Sequence, residues 1–124
     1  MGIATSGKDL MLQRLGGITA NPINSMGVGS SNTAFATSQT GLLGTYTAYQ
    51  ALDGGSPTEA TEVLTCQTTW STTEGNLNAG ATAWEEIGLF NATTPGTMFN
   101  RIVIPAITKT SAISIVAQIQ ITQS

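Results

Sequence analysis

Hydrophobic and polar residues alternate most cleanly near the end of the chain. Ile113, Ile115, Ala117, Ile119 and Ile121 fall on one side, and Ser114, Val116, Gln118, Gln120 and Thr122 on the other. A period of two predicts a strand with one buried face. Burying each isoleucine contributes roughly 1.5 to 3 kcal/mol before entropy costs, so Ile115 and Ile119 are expected core residues. Residues 63–71 alternate in the same way, with Leu64, Cys66, Thr68 and Trp70 inward and Val63, Thr65, Gln67 and Thr69 outward. Residues 82–90 predict a further strand, and residues 97–104 its return, ending at Pro105. Residues 42–49 favour a strand through Thr and Tyr. Residues 23–28 alternate weakly and run into the Gly- and Ser-rich stretch from Gly27 to Asn32, which reads as a turn. Between these, residues 33–41 look irregular, with Phe35 as an anchor, and Asp53-Gly54-Gly55-Ser56-Pro57 breaks the chain.

A period near 3.6 occurs once. Residues 6–17, SGKDLMLQRLGG, predict a short helix with Ser6 as N-cap, Asp9 in the first turn, Arg14 near the last and Gly16-Gly17 closing it. Leu10, Met11, Leu15 and Leu12 give it an apolar side. A helix this short is marginal alone and needs to dock on a sheet or a neighbour.

Short strands between regular turns predict a mainly β fold, an antiparallel β-sandwich of jelly-roll-like kind with one short N-terminal helix. Residues 1–22 are expected to form an N-terminal arm and helix, and residues 23–124 the sandwich. A chain of 124 residues supports one core.

Charge changes the picture. Only 9% of residues are charged, against about 25% in ordinary soluble domains, so neutral polar side chains carry solubility. Lys8, Arg14, Arg101 and Lys109 are scattered and the net charge is −3; no basic patch meets a nucleic-acid backbone. No apolar run is long enough to span a membrane, and the N-terminal residues lack the basic region and apolar stretch of a signal peptide. Synthesis in a cytoplasm is expected, with no cofactor.

The chain has no histidine, which removes the commonest general base and metal ligand. Cys66, among apolar neighbours on a predicted strand, reads as a structural thiol. Glu85 and Glu86 leave a strand on opposite faces and cannot form a catalytic dyad. Glu86 is expected to share a face with Trp84 and Phe90. One of the two glutamates must lie near the core or at an interface, and a buried carboxylate needs a partner. Arg101 on the return strand is the first choice and Lys109 the second; the alternative is two solvated edge charges. Asp53, Glu59 and Glu62 lack the spacing of a calcium loop. Trp70, Trp84, Tyr46 and Tyr49 offer either core packing, the favoured reading, or a sugar-binding platform.

The segments MGVGSSNTAFATSQTGLLGTY (residues 26–46) and CQTTWSTTEGNLNAGATAWEEIGLFNATTPGTMFNRIVIPAITKT (residues 66–110) carry a resemblance. They are similar to small virion structural proteins of tailed bacteriophages, over roughly residues 23–110. The shared features are a Gly-x-Gly stretch, a Ser-x-Thr-x-Leu stretch at Ser38 to Leu42, an acidic-x-Gly-Leu-Phe strand at Glu86 to Phe90, and a Gly-x-Met-x-x-Arg return at Gly96 to Arg101. The stretch TYTAYQALDGG departs from the pattern, lacking acidic and arginine residues often found there. The resemblance implies a non-enzymatic protein of the virion. The expected role is capsid decoration, a cement protein binding the major capsid protein at subunit junctions on the shell surface. It would act as a homo-oligomer, expected to be a trimer, with residues 1–6 reaching a neighbour. A tail fibre, baseplate or receptor-binding module is the alternative.

Overall fold

The alternating segments fold as strands of two facing sheets. The computed structural model describes residues 2–18, 20–78, 80–93 and 96–123. In chain order the elements are β1 (Gly2–Ile3), α1 (Thr5–Leu15), β2 (Ser25–Gly29), β3 (Thr47–Ala51), β4 (Thr58–Ala60), β5 (Val63–Trp70), β6 (Trp84–Phe90), β7 (Met98–Ile107) and β8 (Ile115–Thr122). A five-stranded sheet runs β1-β7-β6-β2-β3 and a three-stranded sheet β4-β5-β8, with every pairing antiparallel. The protein is a mainly β sandwich with one N-terminal helix.

Between the sheets lies the main core: Met26, Val28, Trp84, Ile87, Leu89 and Phe99 from one sheet meet Cys66, Trp70 and Ile119 from the other. Trp70 and Trp84 pack edge to face at 5.2 Å between centroids. Ile115, Ala117 and Ile121 join this core while Val116 stays 60% exposed, as period two requires. A smaller cluster of Ala4, Phe90 and Met98, with Phe35, Leu42 and Tyr49 against it, fills the outer side of the larger sheet.

Several local expectations are corrected. Gly27-Val28-Gly29 is not a turn but part of β2, a central strand between β6 and β3. The glycines serve close approach: a Cβ on Gly27 would lie 2.8 Å from the Tyr49 ring, and one on Gly29 would lie 2.4 Å from the Glu86 carboxylate. The strand expected from residue 42 begins only at Thr47, because the amides of Leu43 and Gly44 donate to a side chain instead of a neighbouring strand. Strand β7 runs through Pro105, where the register with β6 shifts; a bulge tolerates a residue without an N–H. That shift also separates Trp84, which faces the main core, from Glu86 and Phe90, which face the outer side. The shared face of Trp84 and Glu86 does not exist.

The helix begins at Thr5, with Ala4 at the N-cap two residues before the expected Ser6 and no side-chain cap. Ser6 lies within the first turn and donates to the Met98 carbonyl at 2.7 Å, so it docks the helix rather than capping it. At the other end Gly17, at φ +70°, closes a Schellman turn, with Ile18 N–H donating to Gln13 at 2.8 Å and Gly17 N–H to Arg14 at 3.3 Å. Within the N-terminal arm, Gly2 and Ile3 pair with Arg101 and Asn100 as β1, and Ala4 is fully buried.

Candidate functional site: two buried cations and the loops they hold

Long irregular segments leave the sandwich at two places, and each is pinned by one buried cation. The first segment, residues 30–46, joins β2 to β3 over the outer face of the larger sheet. Beneath it the Arg101 Nε–H donates to Glu86 Oε1 at 2.7 Å, with both side chains wholly buried. Glu86 lies diagonally across from Arg101, since Gly88 is the register partner of Arg101 and Val103 that of Glu86.

The carboxylate collects three more donors from the covering segment. Leu43 N–H donates to Oε1 at 2.9 Å, while Gly44 N–H at 2.7 Å and Ser31 N–H at 3.1 Å donate to Oε2. Arg101 donates outward to the Thr33 carbonyl at 2.7 Å, to Gln39 Oε1 at 3.4 Å and to the Ser31 carbonyl at 3.3 Å. Two charges thus organise a stretch that has no ladder of its own. Burial of the pair demands this saturation, because an ion taken out of water without partners is strongly unfavourable.

Lys109 does the same for residues 71–83, which join β5 to β6. Its fully buried Nζ donates to the Ser71 carbonyl at 2.9 Å, Asn76 Oδ1 at 2.7 Å and the Thr110 carbonyl at 3.1 Å. Lys109, the second choice as partner for a strand glutamate, therefore does not pair with Glu86. Leu77 N–H donates to the Lys109 carbonyl at 3.1 Å, and Trp84 Nε1–H to the Gly75 carbonyl at 2.9 Å. Gly75, at φ +67°, presses on both tryptophans: a Cβ there would lie 2.6 Å from Trp84.

The remaining chemistry-bearing residues are spoken for or dispersed. Trp70 and Trp84 are each 1% exposed and Tyr46 8%, so they pack the core and form no surface platform; Tyr49 packs edge to face on Phe90. Burial pushes the Cys66 thiol up to about 11, far from a reactive thiolate. Asp53 accepts from Gln67 Nε2 at 2.9 Å, Thr69 N–H at 2.9 Å and Thr69 Oγ1 at 2.7 Å, and these bonds hold its carboxyl below the ordinary range. Glu59 accepts from Glu62 N–H at 3.1 Å. Among the described residues, no three His, Cys, Asp or Glu side chains converge as a metal site, and no helix is long and apolar enough to cross a membrane.

One surface was not foreseen in full. Of the apolar residues on α1 only Leu10 is buried; Met11, Leu12 and Leu15 are 48%, 66% and 86% exposed, and Ile18 just beyond is 60% exposed. Met11, Leu12 and Leu15 line a groove of about 700 Å³ together with Phe99, Leu64 and Ile121. Arg14 is its charged lining residue and is turned aside to the Ala20 carbonyl at 2.8 Å. The helix periodicity carried the signal, but not that a single apolar position would suffice for docking. No protein-family model, curated protein or solved structure matches this chain.

Proposed function

We propose that this chain is a non-enzymatic structural protein of a tailed-bacteriophage virion, a decoration protein that binds the outer shell where capsid subunits meet. The observation that carries the reading is the uncovered apolar face of α1 and its groove, where Met11, Leu12 and Leu15 stand exposed side by side. Contiguous exposed apolar surface of this kind marks a site covered by another protein. The internal economy of the fold supports it: both buried cations hold loops in place, and Cys66 is protonated in the core. The motif resemblance supplies the particle context.

A decoration protein acts through contact area. A stable interface buries about 1,200 to 2,000 Å², and a symmetric oligomer multiplies weak contacts through avidity. Strand β8 is an open edge, pairing only with β5, and no Lys, Arg or Pro interrupts it. Natural edges of this length are usually guarded or covered, which favours an oligomer, here a trimer. Shells should survive heating or chelation better with the purified protein than without it. Replacing Leu12 and Leu15 by Ser should abolish that protection and co-sedimentation while leaving the fold intact. Equal shell survival with and without protein would refute the proposal.

A further inference from the structure

Lys109 and Asn76 face each other in a way that goes beyond a hydrogen bond. The Nζ is fully buried, and among the described residues no carboxylate lies within ion-pair distance of it. Asn76 Oδ1 is 2.7 Å away, which places the amide carbon one C=O bond, about 1.2 Å, beyond the contact atom. The other end of the amide points outward, where Nδ2 donates to the exposed Thr72 carbonyl at 2.8 Å. A nucleophile therefore sits on the inner side of the amide and the leaving nitrogen on the solvent side. Close by, Ser71 links the lysine to a carboxylate: its carbonyl accepts from Nζ while its N–H donates to Glu74 Oε1 at 2.9 Å.

We propose that Lys109 and Asn76 join through an intramolecular isopeptide bond, Nζ to Cγ, formed by the chain itself with loss of ammonia. Rotation of the amide about its Cβ–Cγ bond turns the face of the carbonyl at Cγ toward Nζ. Nζ passes a proton along its hydrogen bond to Oδ1, 2.7 Å away, and its freed lone pair attacks Cγ. The Nζ–Cγ bond forms, a second proton passes from Nζ to Nδ2, and as the Cγ–Nδ2 bond breaks and the carbonyl re-forms, the departing ammonia takes the proton from Oδ1. A lysine ammonium and a primary amide become a secondary amide and an ammonium ion; nothing is oxidised or reduced and no co-reactant enters.

The driving force is already in the fold. A buried ammonium satisfied only by neutral oxygens costs more than an uncharged amide in the same place. The product would tie residues 71–83 covalently to the β7–β8 connection, making permanent the contact that now pins this loop over Trp70 and Trp84.

Mass spectrometry of the full chain tests this directly. After folding and prolonged incubation at neutral pH, the intact mass should be lower than that of the sequence by one ammonia, and Asn76→Ala and Lys109→Met should each restore the mass of their own sequence. Trypsin should then fail to cut after Lys109, leaving residues 102–124 attached to the peptide spanning residues 15–101. A cyclic imide at an asparagine would lose the same mass but leave residues 102–109 free, which would overturn the proposal, as would an unchanged wild-type mass.

Discussion

Replacing Glu86 by Gln changes one oxygen to an NH2 group in the most crowded polar site of the protein. The carboxylate accepts from Leu43, Gly44, Ser31 and Arg101, two donors on each oxygen. Either orientation of the new amide therefore turns its NH2 toward two N–H donors, and Arg101 is left buried without a counter-charge. Breaking a buried pair in this way costs about 3 to 5 kcal/mol. At about 3 to 5 °C per kcal/mol for a chain of this length, the melting temperature should fall by roughly 10 to 20 °C. Arg101→Met is expected to cost less, since Glu86 keeps three backbone donors. The double variant should fall short of the sum of the two by about 1 to 3 kcal/mol. Urea and thermal unfolding followed by circular dichroism give these numbers. A local readout comes from chymotrypsin, which should cut near Phe35 or Leu43 in Glu86→Gln before the sandwich unfolds. Additive single effects, or a Glu86→Gln cost below about 1 kcal/mol, the range of an exposed pair, would refute the reasoning.

Other consequences follow from single contacts. Gly7→Ala should destabilise the protein although alanine gains about 1 kcal/mol of helix propensity, because its Cβ would lie 2.0 Å from the Phe99 carbonyl oxygen; a raised melting temperature would contradict the docking. Thr61 and Glu62, at φ +52° and +68°, form the two-residue turn between β4 and β5, so Thr61→Asn with Glu62→Gly should raise stability by about 1 to 2 kcal/mol in chemical denaturation. Cys66 titrates near 11 in the fold against an ordinary 9.0. Its protonated form is favoured by folding, so this contribution is complete below pH 9 and is lost as pH rises from 9 toward 11. Cys66→Ala should flatten that part of the stability profile, and the native thiol should resist alkylation at neutral pH.

What could be read before folding was whatever depends on side-chain alternation. Strands β5 and β8 announced their inward faces because one face of each is mainly apolar, although Ile113, expected on that face, lies before β8 and is 41% exposed. The Glu86–Arg101 contact was legible because a carboxylate in an apolar strand has few ways to be satisfied. Illegible parts were those set by distant partners. Glycine hid β2, since a strand that must leave room for Glu86 and Tyr49 has the composition of a turn. Residues 42–46 carry strand-forming side chains, yet Glu86 claims two of their amides, 42 and 43 positions away in sequence. The two-residue β1 is too short for any period, and Lys109 gave no local sign that three neutral oxygens would enclose it. The exposed helix face was half legible: the apolar positions were visible, but not that the sandwich would cover only Leu10.

The most direct test of the virion assignment is to label intact particles with an antibody against this chain and image them by negative stain. Label distributed over the shell, at repeated lattice positions, is the result a decoration protein predicts. Label confined to the tail, or particles carrying none, would contradict it.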